Sequence, residues 1–218
     1  MRKRTLIVIV LFILLTTISS KQHIFTKKFN LKNIQIENNS LVSKKDIRIS
    51  LIPLYDKNLL FLDNNEIEKL LKNISFVESF EIKKKYPNTL KVKIFEKKPI
   101  AILFFNKKKF IVSEKIDLIE YQEIKNLSQL PFVFGNVNDF KIFYNDLKQA
   151  NFPLEIISKY IFYDSSRWDL ETINKKKIKL PQKNYVISLK NFLDLKKKSS
   201  FEKYELFDYR IKGQLILK

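Results

Sequence analysis

Hydrophobic positions recur along this chain with three different spacings. The first stretch has no period: "TLIVIVLFILLTTIS", from Thr5 to Ser19, is apolar on every side, follows Met1-Arg2-Lys3-Arg4 and is bounded by Lys21. A strand follows, with Phe29, Leu31, Ile34 and Ile36, and stops at Asn38-Asn39. Two helical stretches come next, each opened in the same way. Ser43 is placed as an N-cap with Asp46 at the third helical position, and Val42 and Ile47 as a hydrophobic staple. In "LDNNEIEKLLKNI" Asp63 caps, Glu66 completes a capping box and Leu62 staples to Ile67. Ile67, Leu70, Leu71 and Ile74 then hold the i, i+3, i+4, i+7 stripe of a helix buried on one side. Period two follows in "SFVESFEIKKKYPNTLKVKIFEKKPIA": Phe80, Ile82 and Tyr86 share one side of a strand, and Leu90, Val92 and Ile94 one side of the next. Tyr86-Pro87-Asn88-Thr89 reads as the turn between them, centred on Pro87 and Asn88.

Two one-sided helices and three one-sided strands complete each other as a small α+β layer pair. The pattern expects Ile67, Leu70, Leu71, Phe80, Ile82, Leu90 and Val92 in its core. The order strand, helix, helix, strand, strand, over Phe29 to Glu96, is that of a POTRA module. Beyond Pro99 the pattern becomes mainly β. "IAILFF", "KKFIVS", "KIDLIEY", "LPFVFGNV", "KYIFYD", "RWDLETI" and "KKIKLP" are short apolar segments between polar turns. Two helices interrupt them: "DFKIFYNDLKQANF", with Phe140, Phe143, Tyr144 and Leu147 on one stripe, and "SLKNFLDLKK", with Leu189, Phe192 and Leu193 inward. "YELFDYRIKGQLILK" closes the chain as two strand-like pieces meeting at Lys212-Gly213. Only Lys97-Lys98-Pro99 links the two regions.

Composition narrows the function more by exclusion than by assignment. The chain has 218 residues, is 45% hydrophobic and carries a formal net charge of +19. Its basic residues are mostly lysine; the arginines are Arg2, Arg4, Arg48, Arg167 and Arg210. Scattered lysines do not make the planar forks that read bases or clamp phosphates, so no nucleic-acid footprint is expected. No cysteine is present, which excludes disulfides and thiolate chemistry. The single histidine, His23, sits beside the apolar run without a partner, and two glycines, Gly135 and Gly213, cannot form a phosphate-cradling loop. Asp63, Glu66 and Glu96 read as caps and a hairpin end rather than an acid/base pair. No catalytic, metal-binding or cofactor-binding residues emerge, nor a small-molecule substrate; an interaction protein is the default. The basic amino terminus keeps Met1 to Arg4 cytoplasmic and sends the bulk across the membrane. The residues alone leave two readings of the apolar run open, a retained anchor and a cleaved signal peptide ending in "TTISS".

Four stretches, in order, carry a family resemblance. "SFVESFEIKKKYPNTLKVKIFEKKPIAIL" holds Phe76-Val77, Lys83, Tyr86-Pro87, the alternating Leu90, Val92 and Ile94, and Glu96-Lys97-Lys98-Pro99-Ile100-Ala101. "KNLLFLD" precedes the second helix, and "SRWDLETINKKKIKLP" and "LFDYRIKGQLILK" follow in the second region. Together they resemble the FtsQ family, called DivIB in Gram-positive bacteria, of cell-division proteins. Phe76 and Tyr86 stand where that family often has Trp, Ser75 where it often has Pro, and Ile211 where some members carry Tyr.

The resemblance implies an α+β chain with a cytoplasmic tail (1–4), a transmembrane helix (5–20), a β-α-α-β-β POTRA domain (29–98) and a mixed, mainly antiparallel β domain with two helices (99–218). It implies a non-enzymatic scaffold in the inner membrane, single-pass type II, with its bulk in the periplasm at the division septum. There it would link early and late divisome proteins, the POTRA domain meeting further partners, and recruit the FtsB–FtsL pair that controls septal peptidoglycan synthesis. FtsB would be received by strand addition. Carried over residue by residue, its site falls on Arg210, Ile211, Lys212, Gly213, Gln214, Leu215, Ile216 and Leu217, with Arg167 as an accessory. An unblunted "GQLILK" edge suits such a template physically. On this reading Arg210→Glu weakens binding and leaves stability nearly unchanged; the alternative for Arg210 is a structural ion pair with Asp208, and for Trp168 a place in the core. The rival readings are a POTRA-containing envelope assembly or export factor, a basic polyanion-binding envelope protein, and an unrecognised hydrolase.

Overall fold

The computed structural model describes residues 2–16, 27–124 and 127–218. Helix α1 is described over Arg2–Thr16, and its side chains from Leu6 to Leu15 are half or more exposed on every side. Fifteen residues rise about 22 Å at 1.5 Å each, short of a hydrocarbon core of about 30 Å. No helix among the described residues is long and apolar enough to cross a membrane. The last residues of the span expected at 5–20 lie outside the described residues, as do Lys21 and His23.

The remaining residues divide into two compact units, which part between Lys97 and Lys98. In the first, β1 (Asn33–Glu37), α2 (Lys44–Ser50), α3 (Asn64–Lys72), β2 (Val77–Lys85) and β3 (Thr89–Glu96) follow in chain order. The sheet order is β1-β3-β2, with β1 parallel and β2 antiparallel to the central β3. Ser43 accepts from the Asp46 N–H at 3.0 Å, and Asp63 from the Asn65 N–H at 3.0 Å, so both helices start where the caps require. Glu66 does not complete a box; its carboxylate pairs with Lys57. Register sets Ile34 beside Leu90 and Ile36 beside Val92. These four, with Ile47, Ile67, Leu71 and Ile94, are buried under the helices. The opposite face is polar, with Lys91 on Glu37 at 2.8 Å and Lys93 over the Phe95 ring at 4.8 Å.

Three expected details differ. Leu70, Phe80 and Ile82 are only half-buried, because helices of seven and nine residues cover the central strand fully and the outer strand β2 in part. Tyr86 leaves the strand: Lys85 pairs with Thr89, so Tyr86-Pro87-Asn88 is the loop, its Tyr86–Pro87 peptide is cis, and Tyr86 is exposed. Finally, β1 begins at Asn33 rather than Phe29. Its partner β3 has already turned away at Asn88, so Phe29 and Leu31 hydrogen-bond to Leu59, Lys57 and Asp56 instead.

The second unit contains β4 (Pro99–Phe105), β5 (Lys108–Ser113), β6 (Leu118–Glu120), β7 (Phe132–Phe134), α4 (Val137–Gln149), β8 (Ile157–Tyr163), β9 (Arg167–Thr172), β10 (Lys177–Lys179), α5 (Tyr185–Lys196), β11 (Leu206–Asp208) and β12 (Ile216–Leu217). They form one nine-stranded sheet in the order β12-β11-β10-β9-β8-β7-β4-β5-β6. Helix α4 joins the parallel neighbours β7 and β8, and α5 joins the parallel neighbours β10 and β11. Strands β8 and β10 point the same way, each being antiparallel to β9, and both crossovers step toward β12. Right-handed crossovers of the same sense lie on the same face. Both helices therefore cover one side of the sheet, and Phe140, Phe143, Leu147, Leu189 and Phe192 share one core with Tyr160, Trp168 and Phe207. Trp168 stacks on Phe143 at 4.9 Å, a core residue. Helix α5 starts at Tyr185, earlier than "SLKNFLDLKK" suggests, because Asn184 turns the chain in a left-handed conformation. Leu189 and Phe192 are buried and Leu193 packs against them in part.

Candidate functional site

The carboxy-terminal segment is built by a turn and a short ladder. Gly213 sits at φ +75°, and Gln214 N–H closes the turn on the Ile211 carbonyl at 3.1 Å. A side chain at that backbone angle would be strained, which is why a glycine stands here. The returning chain pairs with β11: Phe207 faces Leu217, and Asp208 faces Ile216. Leu206 and Lys218 exchange both backbone hydrogen bonds, at 3.0 and 3.2 Å. In an antiparallel ladder the next residue points its own groups the other way, so Leu217 turns its N–H and C=O outward. β12 is the last strand in the sheet order, with no strand on its outer side among the described residues. Leu215 and Leu217 pack against the core, while Ile216 is 38% exposed on the opposite face.

Arg210 is exposed, yet its guanidinium is held on a buried partner. Its guanidinium meets the Asp208 carboxylate at 2.9 and 2.7 Å, and its backbone N–H donates to the same group at 3.1 Å. The hydrogen bonds from Arg210 hold the nearly buried Asp208 carboxyl below its ordinary value, and the carboxylate in turn raises the guanidinium. A depressed carboxylate contributes stability above its unfolded value of about 3.9, lost as pH falls through its folded value. Arg167 is held in the same manner: it pairs with the buried Asp169 at 3.2 Å and lies 4.3 Å over the Tyr163 ring. The register Asp169–Lys179–Asp208–Ile216 lines these groups in one row across four strands. The structure thus brings Arg167 and Arg210 to one neighbourhood of the helix-free face, each on its own carboxylate.

Arg210, Ile211, Lys212, Gly213, Gln214 and Leu215 also line a groove of about 700 Å³, whose far wall is Pro181 to Asn184 and the first turns of α5. Ile187 is 69% and Ile211 51% exposed there, giving the groove apolar side chains in reach of solvent. Ile216 and Leu217 stay outside it, on the strand edge. Sequence reasoning missed the α5 wall, since nothing in "PQKNYVIS" marks a contact with residues two dozen positions later. It also missed Asp169. Among the described residues no group of three His, Cys, Asp or Glu side chains is placed to hold a metal ion.

In the first unit, Glu96 does more than end a hairpin. Its carboxylate accepts from the backbone N–H groups of Ser40, Leu41 and Val42 at 2.8 to 3.0 Å, fixing the loop that enters α2.

Comparison with known proteins agrees with this architecture. The family described as "POTRA domain, FtsQ-type" matches residues 29–97. Proteins named "Cell division protein FtsQ" from Rickettsia bellii (strain RML369-C) and Rickettsia conorii (strain ATCC VR-613 / Malish 7) are each 27% identical over 193 residues, covering 85% of this chain and 71% of the relative. The chain resembles the FtsQ/DivIB cell-division proteins, through an FtsQ-type POTRA domain and through relatives that match most of its length. A solved structure of the major extracytoplasmic domain of DivIB from Geobacillus stearothermophilus, its trans isomer, aligns with 44% of this chain and 87% of its own. That alignment has 14% identity and a TM-score of 0.33, and the resemblance does not lean on it.

Proposed function

We propose that this FtsQ-like chain is a non-enzymatic scaffold that recruits an FtsB–FtsL pair by strand addition beside β12. The observation that carries the proposal is the outer side of β12, where Leu217 presents its backbone groups away from β11. A partner strand would take up these groups, and the chain leading to it would lie in the groove between Ile187 and Ile211. Ile211 and Leu215 would give apolar contact, Gly213 the turn that sets the edge, and Lys212 and Gln214 a polar rim. Arg210 and Arg167 would offer their remaining donors to partner acids while staying on Asp208 and Asp169. The POTRA unit would meet other divisome proteins. With Arg2, Lys3 and Arg4 in the cytoplasm, α1 and the residues after it would anchor the chain once in the inner membrane, leaving the bulk in the periplasm at the septum.

The edge is tested most cleanly at Leu217. Proline there removes an N–H that points outward, a place where edge strands accept it. Leu217→Pro is expected to lose FtsB–FtsL in a pull-down, while its melting curve shifts less than that of a fully buried substitution such as Phe143→Ala, since the Leu217 side chain packs against the core only in part. Retained binding would move the interface away from β12. Arg210→Glu is a poorer probe than the sequence suggests. It sets a second carboxylate against buried Asp208, so it is expected to lower the melting temperature as well as binding.

A further inference from the structure

The POTRA unit has two distinct ends, and the chain enters at one and leaves at the other. At the entry end, Leu31 N–H donates to the Lys57 carbonyl, Leu59 N–H to Phe29, and Lys32 and Asn33 N–H to Asn88. These bonds gather the entering chain, the Asn58–Phe61 loop and the Tyr86–Asn88 loop, where the Phe29 and Tyr86 rings meet edge to face at 6.2 Å. At the exit end lie Glu96 and the Ser40–Val42 loop that it holds. The entry end carries large apolar side chains that the fold leaves in water: Phe61 is 80% exposed, Tyr86 55% and Leu60 44%. None is needed by the core beneath the helices. Exposed lysines surround them, Lys28, Lys32, Lys57 and Lys85, against two exposed carboxylates at the same end, Asp56 and the helix cap Asp63. Only residues 17–26 separate this end from the apolar helix α1, a chain reach of at most about 40 Å.

We infer that the entry end of the POTRA unit is a membrane-contact surface, in which Phe61, Tyr86 and Leu60 enter the interface of an anionic bilayer while Lys28, Lys32 and Lys85 meet its headgroups. Aromatic side chains favour that depth, and basic groups near it gain from the negative surface potential. The partner follows from charge complementarity and from the apolar helix to which this end is tied. The inference rests on the membrane anchorage proposed above, and it adds a second attachment beside that anchor.

The absence of cysteine gives a clean test on the full chain. Phe61→Cys and, at the opposite end, Lys45→Cys are each labelled with an environment-sensitive fluorophore. The labelled chains are reconstituted into phosphatidylcholine vesicles with or without phosphatidylglycerol, and carrying nitroxide lipid. Anchorage is read separately, by flotation with the vesicles after alkaline carbonate. The expected result is several-fold stronger quenching at position 61 than at 45, greater with phosphatidylglycerol, and reduced toward the position-45 level by combined Lys28→Glu, Lys32→Glu and Lys85→Glu with an unchanged melting curve. Equal quenching at both positions in a chain that floats overturns the surface and leaves the anchor standing. A chain released by carbonate yet still quenched at 61 overturns the anchor and sustains the surface. Release without quenching overturns both.

Discussion

The two units of this protein fill their cores with different materials. Beneath the three-stranded sheet the buried side chains are aliphatic, from Leu31 and Ile34 through Ile67 and Leu71 to Leu90 and Ile94, with Phe76 the one buried aromatic among the described residues. Beneath the nine-stranded sheet aliphatic residues such as Leu103, Val133, Leu147 and Leu189 share the core with as many aromatic ones, among them Phe140, Phe143, Phe152, Tyr160, Trp168, Phe192, Phe201 and Phe207. Two short helices over three strands leave a narrow space that branched aliphatic residues fill. Two longer helices over nine strands leave a wide one, and rings that contact each other at 4.9 to 6.4 Å bridge it. The difference teaches where each unit is vulnerable. The mixed core of the larger unit depends most on its large rings, and the aliphatic core on many small pieces.

Phe143→Ala attacks that contrast hardest. Phe143 stacks on Trp168 and meets Tyr160 edge to face, so its removal leaves a cavity that neighbouring rings fill poorly. A loss of roughly 3–5 kcal/mol is expected by chemical denaturation. A loss below about 1 kcal/mol would mean that the wide core relaxes as readily as the narrow one. Glu96→Ala comes next, at about 1–3 kcal/mol, because three N–H groups lose a charged acceptor. Amide exchange at Ser40, Leu41 and Val42 should speed up first; unchanged exchange there would remove Glu96 from the account of the POTRA unit's stability. The smallest effect belongs to Leu70→Ala, about 1 kcal/mol for a half-buried side chain, against roughly 2–5 for its buried neighbour Leu71→Ala. Equal losses at the two positions would show that the helix is covered on both flanks.

The three-stranded unit was legible because its signals are local. Ser43 and Asp63 start helices with bonds reaching two or three residues, and Leu90, Val92 and Ile94 alternate within one strand. The strands of the larger unit were legible in the same way, and so was the stripe Phe140, Phe143, Tyr144 and Leu147. The eight residues from Arg210 to Leu217 could be singled out only through family resemblance, since nothing in their own pattern distinguishes an edge strand from a central one. Glu96 looked like a strand end because its three partners lie over fifty residues earlier.

Sequence by itself determined most of the elements, the caps at Ser43 and Asp63 and the resemblance to the FtsQ/DivIB family, because each rests on interactions between near neighbours or on motifs in order. Only the tertiary structure decided that β4 lies between β5 and β7, that both helices share one face, and that β12 stands at the sheet's edge. It alone set Arg210 on Asp208 and Arg167 on Asp169. Pairing between strands is a choice among distant segments with similar alternation. It is settled by the handedness of the crossovers and by which arrangement buries the rings of the larger core.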